Sequence, residues 1–280
     1  MKTIKFLVFI LLYISCSTNK NIDKFDIDED GVVVEKANNT KQYDEVYNSN
    51  NLIYNVGKKF RYTYFYQNLK GEKFLIKRGK PILQPEGYSI NDWEFINLEK
   101  IDNETVNQII LMPNFGNSFQ NEIPNYNQTV ISYDYIMLSG ESFVMEKTGV
   151  IENEKNIWMH PPRSYFFEIL ELNPFPYIKA PYKIGAKWKW KLKIGDYWSN
   201  KRWFEWKGEI ENVYDYEIKN NIIISTKLGN LKCYIVKATA KSRIGVTELI
   251  SYFNPKYGFV KLEFNNIDGT KTVLELDNVE

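Results

Sequence analysis

From Leu52 to the C-terminus, short runs dense in Tyr, Phe, Trp, Ile and Val alternate with Gly, Asn, Asp and Pro, a texture of strands and turns. The clearest strand is Lys187-Trp188-Lys189-Trp190-Lys191-Leu192-Lys193-Ile194, where apolar and lysine positions alternate with period two. That pattern predicts one buried face and one wet face. Beyond it a meander is expected, with strands over 221–227, 231–241, 245–253, 259–265 and 270–276. Val260, Leu262 and Phe264 are expected to share a face with Leu274 and Leu276. The turn Asn266-Ile267-Asp268-Gly269 places Gly where a hairpin needs a positive φ. No crossover helix of useful length separates these runs, so antiparallel pairing is expected.

Helical periodicity is scarce. The best short helix spans 164–172: Ser164 caps it, Phe166, Phe167 and Leu170 face inward, and Pro174 and Pro176 stop it. The fold class expected is mainly β: one or more curved antiparallel sheets and one short helix. Val56-Gly57-Lys58-Lys59-Phe60-Arg61-Tyr62 is echoed by Ile184-Gly185-Ala186-Lys187-Trp188-Lys189-Trp190. The body, residues 52–280, is therefore either a single unit or two related β-units, 52–175 and 176–280, joined near Pro174–Pro181.

The first residues follow a different pattern. A basic start with Lys2 and Lys5 leads into an apolar run from Phe6 to Ile14, then Ser15 and Cys16. A membrane-spanning helix needs roughly 20 apolar residues, so residues 1–15 read as an export signal that is cut away. Leu12-Tyr13-Ile14-Ser15-Cys16 resembles the lipobox of bacterial lipoproteins, although Tyr13 stands where an aliphatic residue is usual. The resemblance implies that Cys16 becomes the acylated, palmitate-bearing N-terminus. Ser17 in the next position is compatible with the outer membrane, and which side the body faces is left open. Residues 16–51, polar apart from Val32-Val33-Val34, are expected to form a flexible tether that follows the lipid.

Charge and cysteine usage narrow the function classes. Loss of Lys2 and Lys5 with the signal moves the formal charge from +1 to −1, which argues against a nucleic-acid partner. Cys16 and Cys233 are the only cysteines, so no disulfide framework is expected. Cys233 reads as a small buried side chain.

The second half, from Tyr182 onward, resembles the TapB-like family of bacterial envelope proteins. The likeness lies in Gly185-Ala186-Lys187-Trp188-Lys189-Trp190, Leu228-Gly229-Asn230-Leu231-Lys232-Cys233 and Tyr257-Gly258-Phe259-Val260-Lys261-Leu262. It implies a curved antiparallel sheet and transfers no catalytic residue.

No motif marks a nucleophile, a phosphate loop, a dinucleotide cofactor or a metal centre. Asp26-Ile27-Asp28-Glu29-Asp30-Gly31 resembles half a calcium loop, but Ala37 stands where the closing carboxylate is needed. His160, the only histidine, sits in Trp158-Met159-His160-Pro161-Pro162-Arg163. There His160 and Arg163 either grip an anionic or glycan ligand or form a rigid corner. Six of the seven Trp lie between Trp158 and Trp206. Trp188 and Trp190 fall on the apolar strand face and read as core. Trp198, Trp203 and Trp206 lie among polar and turn-forming residues and are the candidates for a ligand site. The lysines at 187, 189, 191 and 193 form either a polyanion-binding face or a soluble one. Two functions follow as expectations. One is a non-catalytic, membrane-anchored envelope lipoprotein that binds a hydrophobic or glycan ligand or a partner protein. The other is an envelope glycan or lipid hydrolase with His160 as its base.

Overall fold

The computed structural model describes residues 24–27, 31–83, 85 and 87–280. The signal and Cys16 lie outside them. A small hairpin comes first, β1 (Phe25–Ile27) with β2 (Val33–Glu35), followed by the helix α1 (Tyr43–Tyr47). The first arm of the main sheet holds β3 (Phe60–Gln67), β4 (Lys73–Arg78), β7 (Trp93–Asn97), β8 (Thr105–Pro113), β9 (Thr129–Met137), β10 (Ser142–Glu152), β11 (Asn156–Met159) and β12 (Tyr177–Lys179). Between β4 and β7 a two-stranded excursion forms from β5 (Ile82–Leu83) and β6 (Ser89–Ile90). The second arm holds β13 (Lys187–Ile194), β14 (Ile210–Thr226), β15 (Gly229–Ser242), β16 (Gly245–Asn254), β17 (Gly258–Asn265) and β18 (Lys271–Val279).

All main-sheet pairings are antiparallel, in the order β12-β11-β10-β9-β8-β4-β3-β18-β17-β16-β15-β14-β13, with β7 beside β4. The chain thus meanders away from β3 and returns from β13, and the first and last strands of the main sheet, β3 and β18, lie side by side. The sheet is mainly β, as the alternation predicts, and nearly closed, with its two edges at β12 and β13. The echo at Gly57 and Gly185 falls in two positive-φ turns, each leading into a strand. The two arms form one continuous sheet, and β12, placed in the second unit by a boundary at 176, pairs with β11 of the first arm.

The predicted meander is present, and β14 is longer than expected. Its first half, Ile210–Ile218, alternates buried and open positions as cleanly as β13 does. On the inner face Trp190 stacks on Tyr214 at 4.6 Å and Trp188 on Tyr216 at 5.4 Å. On the outer face each lysine of β13 meets a carboxylate: Lys187–Glu217, Lys189–Asp215, Lys191–Glu211 and Lys193–Glu209, at 2.9–3.7 Å. The lysine row is therefore neutralised in place, and little charge is left for a polyanion.

The sheet curls around the segment 165–176. The predicted helix is there, but as a 3-10 helix, η2 (Tyr165–Leu172). Ser164 does not cap it, because its hydroxyl bonds the Glu146 carboxylate. With three residues per turn, positions three apart eclipse, so Phe167 lies over Leu170 and Phe166 over Ile169, all four buried. Phe167 packs on Tyr64 of β3 and Tyr135 of β9. On the other side the Leu172 carbonyl accepts from Thr247 Oγ1 and Asn212 Nδ2, and the Phe175 carbonyl from the Tyr216 hydroxyl. The segment bridges both arms and fills the space between them.

Residues 31–51, expected as free tether, are docked on the body where they are described. Val32 and Val34 are buried in the core. The backbone of Val33 is held by the side chain of Asn156, whose Oδ1 accepts from its N–H at 3.0 Å and whose Nδ2 donates to its carbonyl at 2.9 Å. Glu152 accepts from the successive N–H groups of Leu52, Ile53 and Tyr54, each at 2.8 Å. The few apolar residues of this stretch are sufficient to dock it because the body supplies the missing backbone partners. Within the acidic run, Asp26 lies in β1 and pairs with Lys36 at 3.5 Å; residues 28–30 lie outside the described part.

Candidate functional site

At the end of β11 the chain turns through Pro161 and Pro162 into η2. His160 is fixed there by its backbone. Its N–H donates to the Gly149 carbonyl at 3.0 Å, and its carbonyl accepts from the Tyr133 hydroxyl at 2.7 Å. The ring Nδ1 lies 2.7 Å from the Pro161 carbonyl, so Nδ1 carries the proton and donates. The rigid-corner reading of His160 therefore describes half of the geometry.

The other half is Glu171. It projects from the last turn of η2 and is 4 % exposed, with Oε1 3.3 Å from His160 Nε2. Burial pushes the Glu171 carboxyl up to about 8; Arg163 pulls against that shift, and Glu146 and Glu168 add to it. Burial also pushes the His160 imidazole down to about 3, helped by Arg163 and opposed by the bond to Pro161. Both shifts favour the neutral forms: at neutral pH the Glu171 carboxyl keeps its proton and the His160 imidazole stays uncharged, while Glu171 Oε1, 3.3 Å from Nε2, makes no hydrogen bond among the described residues.

Around this pair lies a pocket of about 240 Å³ between β11, η2 and β13. Trp158, Phe175 and Trp190 form its aromatic walls, and Phe175 packs on His160 at 4.6 Å. The indole N–H groups of Trp158 and Trp190 are buried and find no acceptor among the described residues. The rim is the 3-10 turn η3 (Asp196–Trp198), with Tyr197 77 % exposed. Arg163 stands 6.0 Å over the Trp198 ring. Its backbone N–H is tied to Glu146 Oε1 at 2.8 Å, and Glu146 also takes the hydroxyls of Tyr135 and Ser164, so the loop 160–165 is pinned from below. Tyr165, at φ 58°, holds a conformation that costs a non-glycine residue roughly 1–3 kcal/mol. Strain of this kind persists where the surroundings over-determine it.

Three of the candidate residues read from the sequence, His160, Arg163 and Trp198, are brought together in this pocket. Trp203 and Trp206 are not. Trp203 lines a separate shallow depression of about 330 Å³ with Trp93, Phe95 and Arg202. Trp206 is buried. Glu171 and Trp190 are the members that the pattern hides, one as an acid in an apolar helix, the other as a core position of a strand. Cys233 is buried as expected, and burial raises its thiol to about 11, which makes it a poor nucleophile.

No protein-family model matches the chain. No curated protein is similar to it either. Among solved structures it is similar to a Bacteroides fragilis protein with a YmcC-like fold, described as exported, at TM-score 0.45 and 10 % identity over 82 % of this chain and 98 % of that one. It is similar also to a Parabacteroides distasonis protein described as a lipoprotein, at TM-score 0.44 and 13 % identity over 82 % and 97 %. A third is the hypothetical lipoprotein YmcC from Escherichia coli, at TM-score 0.33 and 8 % identity over 78 % and 84 %. No family match supports the TapB-like resemblance.

Proposed function

We propose that this chain is a non-catalytic lipoprotein of the cell envelope, held at the outer membrane by an acylated Cys16. Its β-body binds a hydrophobic or glycan ligand in the His160 pocket. The observation that carries the binding reading is the confinement of the His160 ring, with Nδ1 bonded to the Pro161 carbonyl and Nε2 facing the buried Glu171 carboxyl at 3.3 Å. An imidazole held in that way, and pushed far below neutrality, is a wall of a preformed aromatic pocket and a poor general base. Saturable quenching of tryptophan fluorescence by a ligand of either class is the expected result; no quenching by any member of either class refutes the reading.

The anchor rests on the short apolar signal, the small residue before Cys16 and the polar stretch after it. Several acyl chains, each contributing ~0.8 kcal/mol per buried methylene, hold a protein durably where one does not. Cys16→Ala should abolish fatty-acid labelling in cells and release the protein with its body folded. An unlabelled parent protein would refute the anchor.

One observation favours a second reading. A carboxyl raised to about 8 is protonated at neutral pH and suited to general-acid work on a glycosidic bond. Glu171→Gln separates the two: a hydrolase loses turnover of envelope glycan, whereas a binding protein shows no turnover before or after the change.

A further inference from the structure

The geometry points to an acidic sugar, a pyranose ring carrying a carboxylate, as the ligand of the His160 pocket. This inference rests on the binding reading above and names the chemistry of its ligand.

Three observations converge. Tyr197, 77 % exposed, and Trp198 set aromatic rings in the lining at the rim, the kind of surface on which the apolar face of a sugar stacks. Arg163 stands among them with most of its donors unspent: its side chain makes one hydrogen bond, at 3.3 Å to the Lys147 carbonyl, and no ion pair among the described residues. A guanidinium presents five N–H groups in a planar fork that matches a carboxylate two by two. An alkyl chain in the same place would desolvate that cation and return nothing.

The floor decides between a neutral and an acidic ring. Glu171 is the carboxyl nearest His160, and were it ionised it would repel a second carboxylate. With burial holding the Glu171 carboxyl protonated and the His160 imidazole neutral, the floor carries no charge, so the charge met by an entering anion is that of Arg163. The remaining charged groups around the pair are Glu146, which is bonded to Ser164, Tyr135 and the Arg163 backbone, and Glu168 on the outer side of η2. Lys193, also in the lining, is paired with Glu209. The volume of about 240 Å³ lies below the roughly 300–1,000 Å³ of pockets for drug-sized molecules and suits one ring.

The test uses the released Cys16→Ala protein in detergent-free buffer, titrated with methyl glucuronide, methyl glucoside and dodecanoate and read by tryptophan fluorescence and saturation-transfer NMR. The glucuronide should bind about tenfold or more tighter than the glucoside, the ratio for one charge-assisted hydrogen-bond pair. Arg163→Gln should abolish that ratio and leave glucoside binding in place. Trp198→Ala, at the rim, should weaken both sugars and supplies the check if Arg163→Gln fails to fold. Binding of the glucuronide should fall above pH 8, as Glu171 ionises. Equal affinity for the two sugars, or a ratio untouched by Arg163→Gln in a folded protein, overturns the acidic-sugar inference. Saturable binding of dodecanoate alone overturns it too, while leaving the binding reading intact. Binding of none of the three removes both.

Discussion

Replacing Glu171 with glutamine removes the titrating carboxyl of a buried pair, and its effect on stability has a shape that proton counting fixes. In the folded protein the pair holds one proton between about pH 3 and about pH 8. The unfolded chain, with ordinary values of 4.5 and 6.5, also holds one proton between those two values. The slope of stability with pH is therefore zero from 4.5 to 6.5. Above 6.5 the folded state holds the extra proton, and stability falls as pH rises toward 8. At 1.36 kcal/mol per unit that limb amounts to about 2 kcal/mol. Below 4.5 the unfolded chain holds the extra proton, and an acid limb of about 2 kcal/mol develops as pH falls toward 3. Glu171→Gln leaves a buried neutral His160. The alkaline limb of the pair disappears, and the acid limb starts at 6.5 and reaches about 2.7 kcal/mol by pH 4.5. His160→Gln does the reverse, leaving a buried acid whose stabilisation is lost progressively above 4.5. Urea unfolding of parent and variants between pH 4.5 and 8.5, followed by tryptophan fluorescence, gives the differences directly. A parent-minus-variant difference that does not change with pH, or a Glu171→Gln protein that keeps the alkaline limb, refutes the neutral Glu171–His160 pair.

Asn156→Ala should loosen the N-terminal segment: it removes the acceptor of the Val33 N–H and one of the two donors to the Val33 carbonyl, the other being Asn153 Nδ2 at 2.9 Å, at a cost of about 1–3 kcal/mol. Limited proteolysis should then cut within 31–51 while the sheet survives, and an unchanged digestion pattern would count against the docking. On the outer face, Lys189→Ala should change the unfolding free energy by less than about 1 kcal/mol, because exposed ion pairs contribute little; a larger loss would mean that the lysine row does more than solvate an edge strand.

What the sequence made legible follows from how local each signal is. The alternation of β13 and the last hairpin depend on residues within a few positions of one another, and Leu262 does face Leu274 across a turn closed by Gly269. The start of β14 alternates just as well, but its inward positions include Asn212, whose reason to be inside is the Leu172 carbonyl forty residues away. The docking of 31–51 is similarly non-local, since Glu152, Asn153 and Asn156 reach back about 100 residues or more. In the site, the prolines flag the corner at His160 and the Trp run flags the rim. Glu171 carries no such flag. An acid in an apolar helix reads as its wet side until the opposite arm of the sheet closes over it.

The meeting of β3 with β18 makes a statement about the order of assembly. The pairings from β14 to β18 close short turns and β13 reaches β14 through residues 195–209, but Gln67 faces Lys271 and Phe60 faces Val279. Closing a loop of roughly 200 residues costs about 3–4 kcal/mol more entropy than closing one of four. Once the hairpins of each arm have zipped, most of that length is taken up, and the two strands arrive as the ends of rigid sheets. The long-range seam is thus the last to be drawn shut, and backbone bonds between Lys59 and Glu280 finish it. From then on the two arms, already bridged inside by the 165–176 segment, are joined at their margins by the covalent stretch 180–186 and by a ladder of hydrogen bonds on the far side, so that no one join bears the whole connection.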